Sequence, residues 1–435
     1  MLVYGARCAI GPRECVPASI EIASGRITRI LNDSSPAAGS GCLAIDFREF
    51  LVMPGLINAH DHLEFSLFPK MADPPYRNYI DWGTDIHNKF PDLIAKHRAV
   101  PKELRLRWGG IRNLLCGVTT VSHHNPLWPE LKRQDFPVRV VEEYGWGHSL
   151  ALGGDLRAAR SVTPEGHPFI VHACEGVDPQ SREELWGLAR LGLLDANTVL
   201  VHGLAMDGKG IALMQRRRAS LIVCPSSNRF LFGKLPNIPL LGKIDNLALG
   251  SDSPLTAEGD LLDEIRFAIR FCGIPPEAAY RMVTEAPAAV LRLGNGEGSI
   301  RVSGRGDLIA IRDMGHDAAD RLRTLSMNDV EFVMIGGSVQ LASEAILERL
   351  PPAARQGLEP LWIDGTIRWL RVAVKELLRR TENVLGKGEV RLGDKTVLAG
   401  AEKPSHSMHF GFDVERKTRF NGGSHSIAHR RPLHL

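Results

Sequence analysis

The sequence predicts an α/β protein, a large parallel barrel carrying a small discontinuous β-domain. Three observations lead there. The chain has 435 residues, more than one ordinary hydrophobic core supports. From Val52 to about Asn295, apolar strand-like runs alternate with helical patterns, as parallel α/β architecture requires. Both flanks instead hold short β-like runs between Gly, Pro and Ser turns.

Residues 1–51 contain Ser19–Ile22, Arg26–Leu31 and Leu43–Phe47, interrupted by the turn-rich Asn32–Gly41, and form the first part of a β-domain. The barrel spans 52–295, with strand candidates Val52–Ala59, Val118–His123, Val138–Tyr144, Pro168–Ala173, Thr198–His202, Leu221–Cys224 and Leu247–Gly250. Helical patterns such as Pro101–Cys116, Ser181–Leu194, Lys209–Arg218 and Leu261–Phe271 separate them. A closed barrel needs eight strands and seven are counted, so one strand–helix unit is missing or abbreviated between Trp146 and His167. Residues 296–345 return to β texture at Ser299–Val302, Asp307–Ile311, Glu331–Ile335 and Ser338–Ala342, and are expected to pair with residues 1–51. Residues 346–402 are expected to be a helical extension, because Ile367, Leu370, Arg371, Val374, Leu377 and Leu378 give an i, i+3, i+4, i+7 stripe over Ile367–Leu385. The tail, 403–435, scatters His406, His409, His425, His429 and His434 among Ser, Gly and Arg, and is expected to be mobile.

Composition narrows the function. Apolar content of 44% and charged content of 24% fit a soluble globular protein. Lys+Arg 53 against Asp+Glu 50 leaves +3, too balanced for a nucleic-acid or membrane-surface partner. Seven cysteines without paired spacing fit buried thiols in a reducing compartment. Met1–Pro12 lacks a charged segment followed by an apolar one, and no apolar run approaches the roughly 20 residues of a membrane span. A cytoplasmic protein is expected. Barrels of this size often pair, which leaves a homodimer open.

Chemistry gathers first at Val52–Glu64, where an apolar run ends in His60 and His62. Residues i and i+2 of a strand share a face, so both imidazoles can reach one point. Neutral imidazole is the commonest ligand of zinc and iron. Four further polar groups end apolar runs: His172 with Glu175 one turn later, His202 before Gly203, Cys224-Pro-Ser-Ser-Asn228, and Asp252. Each alone is more often structural than functional. Burying three imidazoles and a carboxylate together is costly without a cation, and a shared metal site follows.

The set Pro54-Gly-Leu-Ile-Asn-Ala-His60-Asp-His62, His172-Ala-Cys-Glu175, His202-Gly203, Cys224-Pro-Ser-Ser-Asn228 and Gly250-Ser-Asp252 closely resembles the amidohydrolase superfamily, in its branch of cytosine deaminase, guanine deaminase and the triazine hydrolases. The resemblance runs through about Ala342 and implies a distorted (β/α)8, TIM-like barrel with a flanking β-sandwich. It implies that His60, His62, His172 and Asp252 bind one divalent metal ion, zinc or in the alternative iron. It implies that Glu175 shuttles protons and that His202 steers the hydroxide or the substrate. Binuclear relatives bridge two metals with a carboxylated lysine on the fourth strand. No lysine lies between Lys132 and Lys209, so a single metal is favoured; Glu142 and Glu143 are more simply exposed strand residues.

The expected activity is hydrolytic deamination of an amino-substituted N-heterocycle by a metal-bound hydroxide. Asp252 and His202 would act with Glu175 in catalysis. Trp82, His124, Trp146, His148 and Asn228 are the candidate substrate contacts, and Tyr76 and Tyr79 lie in the same long loop as Trp82; aromatic side chains suit a flat ring. Alternatives are ring opening of a cyclic amide of the imidazolone type, dechlorination, and a binding protein that merely retains metal. Intact Glu175 argues against the last.

Overall fold

The computed structural model describes residues 1–32, 43–152 and 154–400. Eight short parallel strands position the site: β1 (Leu56–Asp61), β2 (Val118–His123), β3 (Arg139–Val140), β4 (Gly145–Gly147), β5 (Phe169–Ala173), β6 (Thr198–His202), β7 (Ser220–Val223) and β8 (Leu247–Leu249). β1, β2 and β3 pair in one sheet, and β4 through β8 pair in succession in another. At the far edge Asp252 returns to β1, its N–H donating to the His60 carbonyl at 3.0 Å beside a parallel Asp61–Asp252 bridge. Gly250 permits that approach, since a Cβ there would stand 2.6 Å from the His60 Cβ. All six residues of β1 and all six of β2 are buried, as parallel strands covered on both faces demand.

Two strand candidates are corrected. Val138–Tyr144 is not one strand: Arg139–Val140 pairs with β2, whereas Gly145–Gly147 pairs with β5. The link between them holds no helix, and the Tyr144 hydroxyl there donates to the His123 carbonyl at 2.7 Å. The abbreviated crossover therefore precedes Trp146, while Trp146–His167 contains the short helix Leu156–Ser161. Val52–Ala59 is likewise divided at Gly55, because Phe50–Pro54 belongs to a different sheet.

That second region is a twelve-stranded sheet drawn from both ends of the chain. Leu2–Ala9 pairs with Cys15–Ala23 and Phe50–Pro54, and Phe50–Pro54 pairs antiparallel with Leu308–Arg312, Met53 facing Ile309. Its core includes Phe47, Phe50 and Phe332. Ser299–Val302 forms no strand. Residues 346–402 are not a helical extension: Glu359–Ile363 and Thr366–Leu370 form a hairpin in this sheet, and the helix begins only at Val374. The two-residue Asp364-Gly365 turn joins the two strands, both residues having positive φ (44° and 86°), as a tight hairpin needs. The stretch 403–435 lies outside the described residues. Among those described, no helix is long and apolar enough to cross a membrane, and six cysteines are free thiols.

Candidate active site

The carboxyl ends of the parallel strands converge. His60, His62 and His172 present ring nitrogens within 4.8 Å of one another, His172 Nε2 lying 3.2 Å from His60 Nε2. Asp252, just past β8, sets Oδ1 3.7 Å from Nε2 of both His60 and His62. All four side chains are buried. The His148 carbonyl lies 3.0 Å from His172 Nδ1. A carbonyl only accepts, so that nitrogen carries the proton and Nε2 turns its lone pair inward. Burial pushes the imidazoles of His60 and His172 below their usual range and His62 down to about 4. Burial opposes the charge on Asp252, but the hydrogen bond with His60 and the imidazoles of His202 and His62 hold its carboxyl well below the usual range. Neutral imidazoles around an ionised carboxylate fit a divalent cation, the ligand forms such an ion requires.

Glu175 stands beside this set. Its Oε2 is 3.6 Å from His202 Nε2, and burial, reinforced by Asp252 and Glu184, raises its carboxyl well above the ordinary range. His202 Nδ1 lies 3.1 Å from Asn228 Oδ1; with the amide so oriented Nδ1 is protonated and Nε2 faces Glu175 with its lone pair. Cys174, His202 and Asp252 have left-handed backbone (φ 57°, 75° and 53°) without being glycine. Strain of that kind clusters at functional sites.

Above the floor formed by His62, His172, Glu175, His202 and Asp252 is a cavity of about 970 Å³, counting its open mouth. Its walls carry Phe65, Tyr79, Ile80, Trp82, Leu152, Leu231 and Leu255, with Thr84, His87, Asn125, His148, Ser253 and Thr256 as polar points. Among the described residues no Lys or Arg lines it.

Of the sequence-derived candidates for substrate contact, Trp82 and His148 line this cavity. His124, Trp146 and Asn228 do not. His124 is buried behind the His60–His62–His172 cluster, its ring 4.1 Å from that of His172, and Trp146 packs 5.7 Å from His124. Asn228 holds His202. Glu142 and Glu143 are exposed. Tyr76 is occupied with Asp85, its hydroxyl donating at 2.6 Å. Sequence reasoning missed His87 and Asn125, the latter 3.4 Å from His62 Nδ1, and also Glu184. Asn125 follows His124 directly, so the end of β2 was the one available signal for it.

Residues 147–339 match the family model described as the amidohydrolase family. A 5-methylthioadenosine/S-adenosylhomocysteine deaminase of Syntrophobacter fumaroxidans is 24% identical over 379 residues, 72% of this chain and 84% of that protein. Among solved structures, a zinc-bound adenosine deaminase from Xanthomonas campestris superposes with TM-score 0.61 at 18% identity, covering 81% of this chain and 94% of that one. The zinc complex of atrazine chlorohydrolase from Arthrobacter aurescens gives 0.65 at 16% identity, covering 88% and 99%. Parallel strands that deliver such a donor set, with an acid beside it, suit metal-dependent hydrolysis on an α/β fold. The chain is thus similar to the amidohydrolase family over residues 147–339 and to a deaminase over most of its length.

Proposed function

We propose that the protein deaminates an amino-substituted N-heterocycle by hydrolysis, and that purine nucleosides are its substrate class. One observation carries the reading: Glu175 is a buried acid poised beside the ligand set without belonging to it. His60, His62, His172 and Asp252 would hold one divalent ion, zinc or in the alternative iron. When bound, such an ion lowers the pKa of water from 15.7 to about 7. Asp252 accepts a proton at its carboxylate. His202, protonated on Nδ1, offers the Nε2 lone pair as acceptor and so orients the attacking water. Glu175 delivers its proton to the ring nitrogen beside the reacting carbon; the proton Asp252 took from the water then passes to the amine, which leaves as ammonia while the new hydroxyl returns its proton to Glu175.

The nucleoside assignment is supported by the name of the relative from Syntrophobacter fumaroxidans and by the apolar, aromatic cavity wall. A wall that carries no Lys or Arg among the described residues disfavours phosphorylated substrates. In this reading the eight parallel strands are a distorted (β/α)8 barrel, with its seam between β8 and β1, and residues 1–51 join 296–345 in a β-sandwich. The test is ammonia release by metal-loaded protein across purine nucleosides, free purines, pyrimidines, pterins and triazines. Ammonia from a nucleoside is the expected result. Gain of one water without ammonia would mean ring opening, and no turnover anywhere on the panel would end the proposal.

A further inference from the structure

Helix α1 (Tyr79–Lys89) contributes Tyr79, Ile80 and Trp82 to the cavity wall, and its first residues are sewn to the acid. The Tyr79 N–H donates to the Glu175 carbonyl at 3.2 Å and the Val177 N–H to the Arg77 carbonyl at 2.8 Å. Asn78 faces Gly176 across this short antiparallel bridge. Only glycine fits there, because a Cβ on Gly176 would stand 2.6 Å from the Arg77 carbonyl oxygen and 2.2 Å from Ser181 Oγ. Asn78 Oδ1 caps α1 by accepting from the N–H groups of Ile80 and Asp81, both at 3.0 Å.

Beneath this bridge lies a buried carboxylate that the proposed chemistry does not use. Glu184 belongs to the helix α2 (Pro179–Arg190) and sits on its buried face with Ser181, Leu185 and Leu188. A carboxylate there is costly unless both oxygens find donors. They do: Oε2 accepts from the Cys174 N–H and Oε1 from the Tyr79 hydroxyl, each at 2.7 Å. Cys174 is the left-handed residue immediately before Glu175. One side chain therefore bonds at once to the turn that aims the acid and to the first residue of the helix over the cavity.

We propose that Glu184 and Tyr79 are positioning residues: the Cys174–Glu184–Tyr79 chain fixes the turn that points the Glu175 carboxyl at the substrate and ties that aim to the seating of α1. The inference rests on the proton-delivery role proposed for Glu175. Losing an outer partner of an active-site group typically costs about 10–100-fold in function. Glu184→Ala should lower kcat by that factor at unchanged metal content, with little change in KM. In the metal-free protein it should also speed amide exchange across Cys174–Gly176. Glu184→Gln keeps an acceptor for the Cys174 N–H and should restore most of both losses. Tyr79→Phe removes a single oxygen, retains the Cys174 bond, and should raise KM more than it lowers kcat.

Wild-type kcat in both Glu184→Ala and Tyr79→Phe overturns the proposal, and so does a loss of kcat without faster exchange. Should Glu184→Ala fail to fold, Glu184→Gln and Tyr79→Phe decide alone: a wild-type KM in Tyr79→Phe then counts against coupling. Glu175→Gln is the control. If it stays active, the proton-delivery reading falls, while the exchange result still reports on the turn.

Discussion

Strand β1 separates two polar regions built on opposite rules. On the cavity side, the lone pairs of buried imidazoles point toward one another, and His124 behind them has no hydrogen-bond partner on either ring nitrogen. On the other side Asp61, the residue between the two histidines, is saturated. It takes Arg112 Nη2 at 2.5 Å and Asn113 Nδ2 at 2.6 Å. Asn58 adds bonds to Ser251 Oγ at 2.8 Å and Asn113 Oδ1 at 2.9 Å, and accepts from the Ser251 N–H at 3.1 Å. Arg112 also donates to the Gly259 carbonyl. Groups that must receive something from outside are left wanting, whereas groups that weld β1 to the end of β8 satisfy one another. The second region fixes the backbone from which the first projects.

The contrast is broken most severely on the cavity side. Glu175→Gln should reduce kcat by about 10²–10⁴-fold while metal analysis gives the wild-type content. Wild-type turnover in that variant would move the acid elsewhere. On the welded side the loss should be in stability. Arg112→Met leaves Asp61 buried and unpaired, a change that typically costs about 3–5 kcal/mol, read as a lower denaturation midpoint. Adding Asp61→Asn should recover part of it, and a midpoint unchanged in the single variant would show that the weld is elsewhere.

The smallest effect sharpens the boundary between the two. Glu264 is buried behind the end of β7, where it accepts from the Ser226 N–H at 2.8 Å. Burial raises its carboxyl from 4.5 to about 8, the Ser226 hydrogen bonds opposing. The folded chain thus keeps a proton that the unfolded chain releases. Its contribution is complete below about pH 4.5 and is lost as pH rises toward 8. Glu264→Gln should flatten the fall of Tm between these values, and an unaltered slope would assign the pH dependence to other groups.

The convergence of His60, His62, His172 and Asp252 was legible because each ends an apolar run, and strand periodicity alone puts His60 and His62 on one face. Glu175 was legible through its spacing from His172. Glu184 was not, since its partners, Tyr79 and Cys174, are 105 and 10 residues away and meet it only after folding. Arg112 was hidden likewise in a helix that reads as ordinary packing. The split at Val141–Tyr144 escaped because Val138, Val140, Val141 and Tyr144 are β-prone and outweighed Glu142 and Glu143, which face solvent. The hairpin at 359–370 escaped for a different reason. Ile367, Leu370 and Val374 fit a helical stripe by coincidence, and the Asp364-Gly365 turn signal was not read. Ser299–Val302 alternates like a strand, yet only Ile300 is buried and nothing pairs with it.

The left-handed backbone at Cys174, His202 and Asp252 has a consequence for protein engineering. Each such residue stores strain of about 1–3 kcal/mol, which glycine would release. A selection that rewards heat resistance alone should therefore favour glycine at these positions and yield a sturdier but inert scaffold. Scoring the same library on product formation should retain His202 and Asp252, whose side chains the proposed chemistry uses, and comparing the two surviving pools would chart where this molecule trades durability for work.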